Sequence, residues 1–162
     1  MTSRWQSGLL AAIALVALAA APASAQTFTL TANLHGGEET PAVVVTGAFG
    51  TATVTVDMAT RTITWIVDVF NLPSGVTAGH IHVGAVGAGG PTMVNFTVPT
   101  TASNDFRISG SATDSGITLR PDQGIRSADD AFQAILGGNT YVNVHSAANP
   151  GGEIRGQLRR SN

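Results

Sequence analysis

The chain has 162 residues, with eight arginines and no lysine against ten carboxylates, for a formal charge of −2 at pH 7. A mildly acidic chain with scattered arginines carries no electrostatic footprint for nucleic acid. It has no cysteine, which excludes disulfides, thiolate metal sites and cysteine nucleophiles, so any metal must be held by histidine, carboxylate or backbone oxygen.

Residues 1–25 read as an export signal. Arg4 supplies the positive start, Gly8 to Ala21 is apolar and small, and Ala23-Ser24-Ala25 is an A-x-A cleavage site. The apolar run is shorter than the roughly 20 residues that a membrane-spanning helix needs. Cleavage after Ala25 predicts a mature chain of 162 − 25 = 137 residues beginning at Gln26, secreted or periplasmic, with no stable membrane span. That length suits a single domain over residues 26–162, and losing Arg4 moves the formal charge from −2 to −3.

Alternation with a period of two dominates the rest. In "TFTLTANLH", Phe28, Leu30, Ala32 and Leu34 take every second position. "GTATVTVD" sets Ala52, Val54 and Val56 against Thr51, Thr53 and Thr55, and "RTITWIVDVF" follows a short turn at 57–60, which predicts a hairpin. "TAGHIHVG", "TMVNFTV", "FRISGSA", "TYVNVHS" and "EIRGQL" are further strands, bounded by Gly, Pro, Asn or Asp. One segment departs from this pattern: Ser127 as N-cap, Asp129 and Asp130 in the first turn, and Gly137-Gly138 at the end predict a short helix. About eight strands and one short helix predict an all-β fold, an immunoglobulin-like or Greek-key β-sandwich or barrel.

Strand parity sorts the four histidines. Ile81 and Val83 form the core set of "GHIHV", which puts His80 and His82 together on the opposite face. Val142 and Val144 take the core side of "YVNVHS", so Tyr141, Asn143 and His145 face away, and His35 does so at the end of its strand. Two residues apart on a strand is roughly 6.6 Å, from which two imidazoles can converge on one ion, and a third from a neighbouring strand completes a nitrogen site suited to copper or zinc. The candidate metal ligands are therefore His80, His82 and His145, with His35 as a fourth, and Asn143, Glu39 and Glu153 as outer partners. In the alternative reading these histidines are structural, supporting loops that contact an extracytoplasmic protein or glycan.

Other constellations are thinner. Glu38-Glu39 could act as a catalytic pair, though adjacent carboxylates on a loop are more commonly solvated. Asp68 reads as a surface charge, and no nucleophile elbow surrounds Ser127 or Ser146. Arg155 is expected on a strand beside the histidine face, paired with Glu39.

"LHGGEETPAV", "GTATVTVD…TITWIVDVFNL", "AGHIHVGAVGAGGP" and "YVNVHSAANPGGEIRGQL" resemble, in that order, the chordin-type (CHRD) domain, from about Leu30 to Leu158. Glu39-Thr40-Pro41-Ala42 departs from the family's tendency to show two prolines after the residue that follows the glutamate. The resemblance implies an immunoglobulin-like β-barrel with a distant likeness to copper/zinc superoxide dismutases, and it brings no established activity. In chordin such domains belong to an extracellular growth-factor antagonist, and bacterial relatives are exported. A two-metal dismutase centre would exhaust more ligands than four histidines and no cysteine supply, so dismutase activity is not expected.

Overall fold

A computed structural model describes residues 26–101 and 103–161; the expected export signal lies outside them. Nine strands and one α-helix follow in chain order: β1 (Thr27–His35), β2 (Phe49–Asp57), β3 (Thr62–Phe70), β4 (Val76–Val83), β5 (Thr92–Asn95), β6 (Phe106–Ala112), α1 (Ala128–Leu136), β7 (Thr140–Ser146), β8 (Ile154–Gln157) and β9 (Arg159–Arg160). All pairings are antiparallel, in the order β5-β4-β7-β8-β1-β2-β3-β6, with β9 also on β1. The segment after β6 reaches β5 through an Ile117–Val94 bridge and a bond from Thr118 N–H to the Met93 carbonyl. The sheet therefore curls into a nearly closed barrel, which covers the unpaired edges an open sheet would leave.

The alternating residues fill its interior. Leu30, Val54, Val56, Ile63, Val67, Val69, Ile81, Val142, Val144 and Ile154 are fully buried. The β2–β3 hairpin pairs Val54 with Trp65 and Ala52 with Val67 across a tight turn. Helix α1 seals the barrel by burying Ala131, Phe132 and Ile135. Its N-terminus is capped as predicted: Ser127 Oγ accepts from Asp130 N–H and donates to the Asp130 carboxylate. Ser127→Ala is expected to cost about 1 kcal/mol in a denaturant titration. Asp68 is a surface charge, held by two bonds from Arg107.

The second face of the barrel wall behaves differently on β4, β7 and β8. Every residue of β7 and β8 is buried, on both faces. Tyr141, Asn143, His145, Arg155 and Gln157 face away from the apolar interior yet lie beneath a cover of loops at 36–46, 84–91 and 147–152. This end of the molecule thus holds a buried polar layer.

Candidate metal centre

The antiparallel register assembles this layer. His80 pairs with Asn143, His82 with Tyr141 and Ala78 with His145 across β4 and β7, and Asn143 pairs with Arg155 across β7 and β8. His82 and His145 are each 8% exposed, and His80 is half-buried. One ring nitrogen from each of these three histidines lies within 4.8 Å of one from each of the others. No further His, Asp or Glu joins the group among the described residues.

Backbone carbonyls decide the tautomers, because a carbonyl only accepts. His82 Nδ1 is 2.9 Å from the Gly90 carbonyl and His145 Nδ1 is 3.0 Å from the Pro150 carbonyl, so both Nδ1 atoms carry the proton. Their Nε2 atoms are therefore the acceptors. His145 Nε2 lies 3.0 Å from His80 Nδ1, which then donates to it. His82 Nε2 is buried with no hydrogen-bond partner, a costly position for a polar atom. Histidines that ligate metals characteristically donate their second nitrogen to a carbonyl, as these two do. Nitrogens around one ion stand about 3 to 4 Å apart, given bonds near 2.0–2.1 Å. The His80–His145 pair is already at that spacing.

Burial holds all three rings neutral. It pushes His80 down to about 4, helped by the charges His145 and His82 would carry. His82 and His145 are also lowered, first by burial, and only partly countered by their carbonyl bonds. Neutral imidazole is the form that binds a metal.

Tyr141 and Arg155 brace the centre. The Tyr141 ring stacks on His82 at 4.8 Å and 9°, and the Arg155 guanidinium lies 3.5 Å over Tyr141. Tyr141 Oη also bonds the Gly90 carbonyl that orients His82. Gly90 packs so close to the Val83 carbonyl that any Cβ would collide with it, so glycine is required for this carbonyl to reach both rings.

Arg155 corrects one expectation. It does lie on the strand beside the histidines, but it forms no ion pair with Glu39 among the described residues. Its donors go to Thr40 Oγ1 at 2.7 Å and to the Ala88 and Ala85 carbonyls at 2.8 and 3.3 Å. The loop carbonyls and the Tyr141 face fill the guanidinium's surroundings, and Glu39 acts on it only through space.

Glu39 is not a solvated turn residue either: it is 6% exposed. Burial pushes its carboxyl up to about 7, against the opposing pull of Arg155 and of bonds from Asn143 and Thr40. Asn143 Nδ2 donates to Glu39 Oε2 at 3.4 Å, while Glu39 Oε1 and Asn143 Oδ1 are buried without partners. Gly152, at φ +133°, passes so close to this pair that a Cβ would stand 2.7 Å from Glu39 Oε2. Between pH 4.5 and 7 the folded state keeps a proton that the unfolded chain releases, so this contribution to stability is lost as pH rises through 7. Glu39→Gln should remove that loss, at most about 3 kcal/mol over the span, seen as converging wild-type and variant unfolding curves toward pH 4.5.

Glu153 and the fourth ligand candidate, His35, do not join the triad either. Glu153 accepts from Thr46 Oγ1 at 2.7 Å and anchors the 36–46 loop. Its burial is outweighed by hydrogen bonds that hold its acid below the usual range. His35 stands apart, half-exposed beside Glu38 at 3.5 Å. It borders a separate depression of about 250 Å³ with Asn33, Gln157 and Arg159. Parity put His35 on the correct face, but its strand is separated from β7 by β8.

A nearly closed antiparallel barrel with a loop-covered polar layer and three converging histidines is the class of molecule defined so far. The CHRD domain family model matches residues 30–158, and the chain belongs to that family. No curated protein and no solved structure matches it significantly.

Proposed function

We propose that this is an exported CHRD-domain binding protein, secreted or periplasmic, that captures a copper or zinc ion with His82 Nε2, His145 Nε2 and His80 Nδ1, the His80 proton moving to its Nε2 as Nδ1 takes the metal. The observation that carries this reading is the unpartnered, buried His82 Nε2, left free by a carbonyl-fixed tautomer and grouped with two other ring nitrogens. Nitrogen-only ligation suits these two metals over calcium or magnesium. Calorimetric titration of the metal-free protein with copper(II) and zinc(II) tests it, with one ion per chain expected. The depressed His80 pKa, about 4, gives a second expectation. Protons should compete only weakly at pH 6, where ordinary histidines with a pKa of about 6.5 are already mostly charged. Affinity should then fall steeply toward pH 4.

The alternative, an extracytoplasmic protein- or glycan-interaction module, draws support from a different feature. Val43 and Val45 are 63% and 100% exposed on the loop beside a groove of about 240 Å³ lined by Glu39, Pro41, Val44, Pro150 and Gly152. Exposed apolar residues rimming a groove are a feature of contact surfaces. An absence of metal uptake would favour this reading.

A further inference from the structure

Three neutral imidazoles contribute no charge to offset a bound divalent ion. The ligand group contains no carboxylate among the described residues, and Glu39 and Glu153 are engaged by Asn143 and Thr46. The formal charges bracketing His82 are instead cationic. Arg155 is 1% exposed and lies over Tyr141, which itself stacks on His82. On the other side, Arg120 Nε donates to the Thr92 carbonyl at 2.7 Å, and Thr92 is the β5 residue paired with His82. Arg120 has two further guanidinium nitrogens, for which no protein acceptor appears among the described residues. His80 is the least buried of the three ligands, so its edge is where solvent approaches.

A three-ligand site leaves one coordination position unfilled by protein, the arrangement of metal sites that take exogenous ligands. Resting on the metal-binding reading above, we infer that the centre leaves that position open to solvent and fills it with a small monoanion, such as a carboxylate, favoured by the cationic Arg120 on the β5 side of His82. The step is ligand exchange: the anion forms a bond to the metal, a bound water leaves, and no electron is transferred. The anion cancels one of two positive charges that the protein leaves uncompensated, so it is favoured over a neutral donor.

Azide serves as the probe. The full chain loaded with copper(II) is titrated with sodium azide at constant ionic strength, read by the azide-to-copper charge-transfer band and by electron paramagnetic resonance. Saturable binding of one azide per copper is expected. Arg120→Met should weaken it by about threefold to tenfold, the scale of one nearby charge in a partly solvated site, and Arg120→Lys should restore most of the loss. A copper spectrum indifferent to azide, or equal azide affinity in Arg120→Met and wild type, would overturn the inference while leaving metal capture intact. Failure to take up copper before azide is added would overturn both.

Discussion

Replacing His82 by alanine should reduce copper or zinc affinity by about a hundredfold or more, since even losing a residue that only orients a ligand costs about 10- to 100-fold. His82 Nε2 is the buried nitrogen without a partner, and the Gly90 carbonyl and the Tyr141 ring already hold its imidazole in a single orientation. Metal binding therefore requires little reordering of this ligand, and its removal sacrifices a preformed position. His145→Ala should fall almost as far, because Pro150 fixes its tautomer in the same way. His35→Ala should leave affinity unchanged, since that side chain sits apart beside Glu38. Calorimetric titration of the three alanine variants checks the order. Equal affinities across the set would return the histidines to a structural role.

Arg155→Ala should be the most destabilising substitution in the polar layer, costing about 3 to 5 kcal/mol from orphaned carbonyls and a void together. The side chain is 1% exposed and connects three parts of the molecule, Thr40, the 84–91 loop and Tyr141. Alanine would leave the Ala85 and Ala88 carbonyls without these donors and open a void under Tyr141, so the terms add in one direction. Arg155→Lys keeps the charge but loses the planar fork and the stacking face, and should lose about 2 kcal/mol or more. Denaturant unfolding of the metal-free proteins measures both. A loss under about 1 kcal/mol for alanine would place the guanidinium among surface charges of small consequence.

The barrel was legible because its strands alternate. Ile81 and Val83 against His80 and His82, and Val142 and Val144 against Tyr141 and His145, fall on the faces their parity assigns. The hairpin at Asp57–Thr62 and the Ser127 cap are local events, written in adjacent residues. What was not legible depends on loops packing over a strand face. Parity separates two faces but does not say that the polar one is covered, so Glu39 read as a turn residue and is in fact buried. Arg155 was matched to a carboxylate by charge, yet its partners are carbonyls, a hydroxyl and an aromatic face, which leave no charge pattern in the sequence. Tyr141 carried one available signal: it shares the histidine face two positions from Asn143, where an aromatic ring is positioned to stack on the neighbouring strand.

The arrangement of the polar layer follows from these partners. Glycine at position 90 lets one carbonyl orient His82 and Tyr141, and Arg155 ties that loop to the ring stack. The loops therefore act on the histidine geometry as much as the strands do.

The central claim, that three ring nitrogens hold one ion, is tested most directly by electron paramagnetic resonance of the protein loaded with one copper(II) per chain. Hyperfine coupling to three imidazole nitrogens is predicted, reduced to two in His82→Ala and in His145→Ala and still three in His35→Ala. A spectrum with no imidazole nitrogen coupling, or one that His82→Ala leaves unchanged, would contradict it.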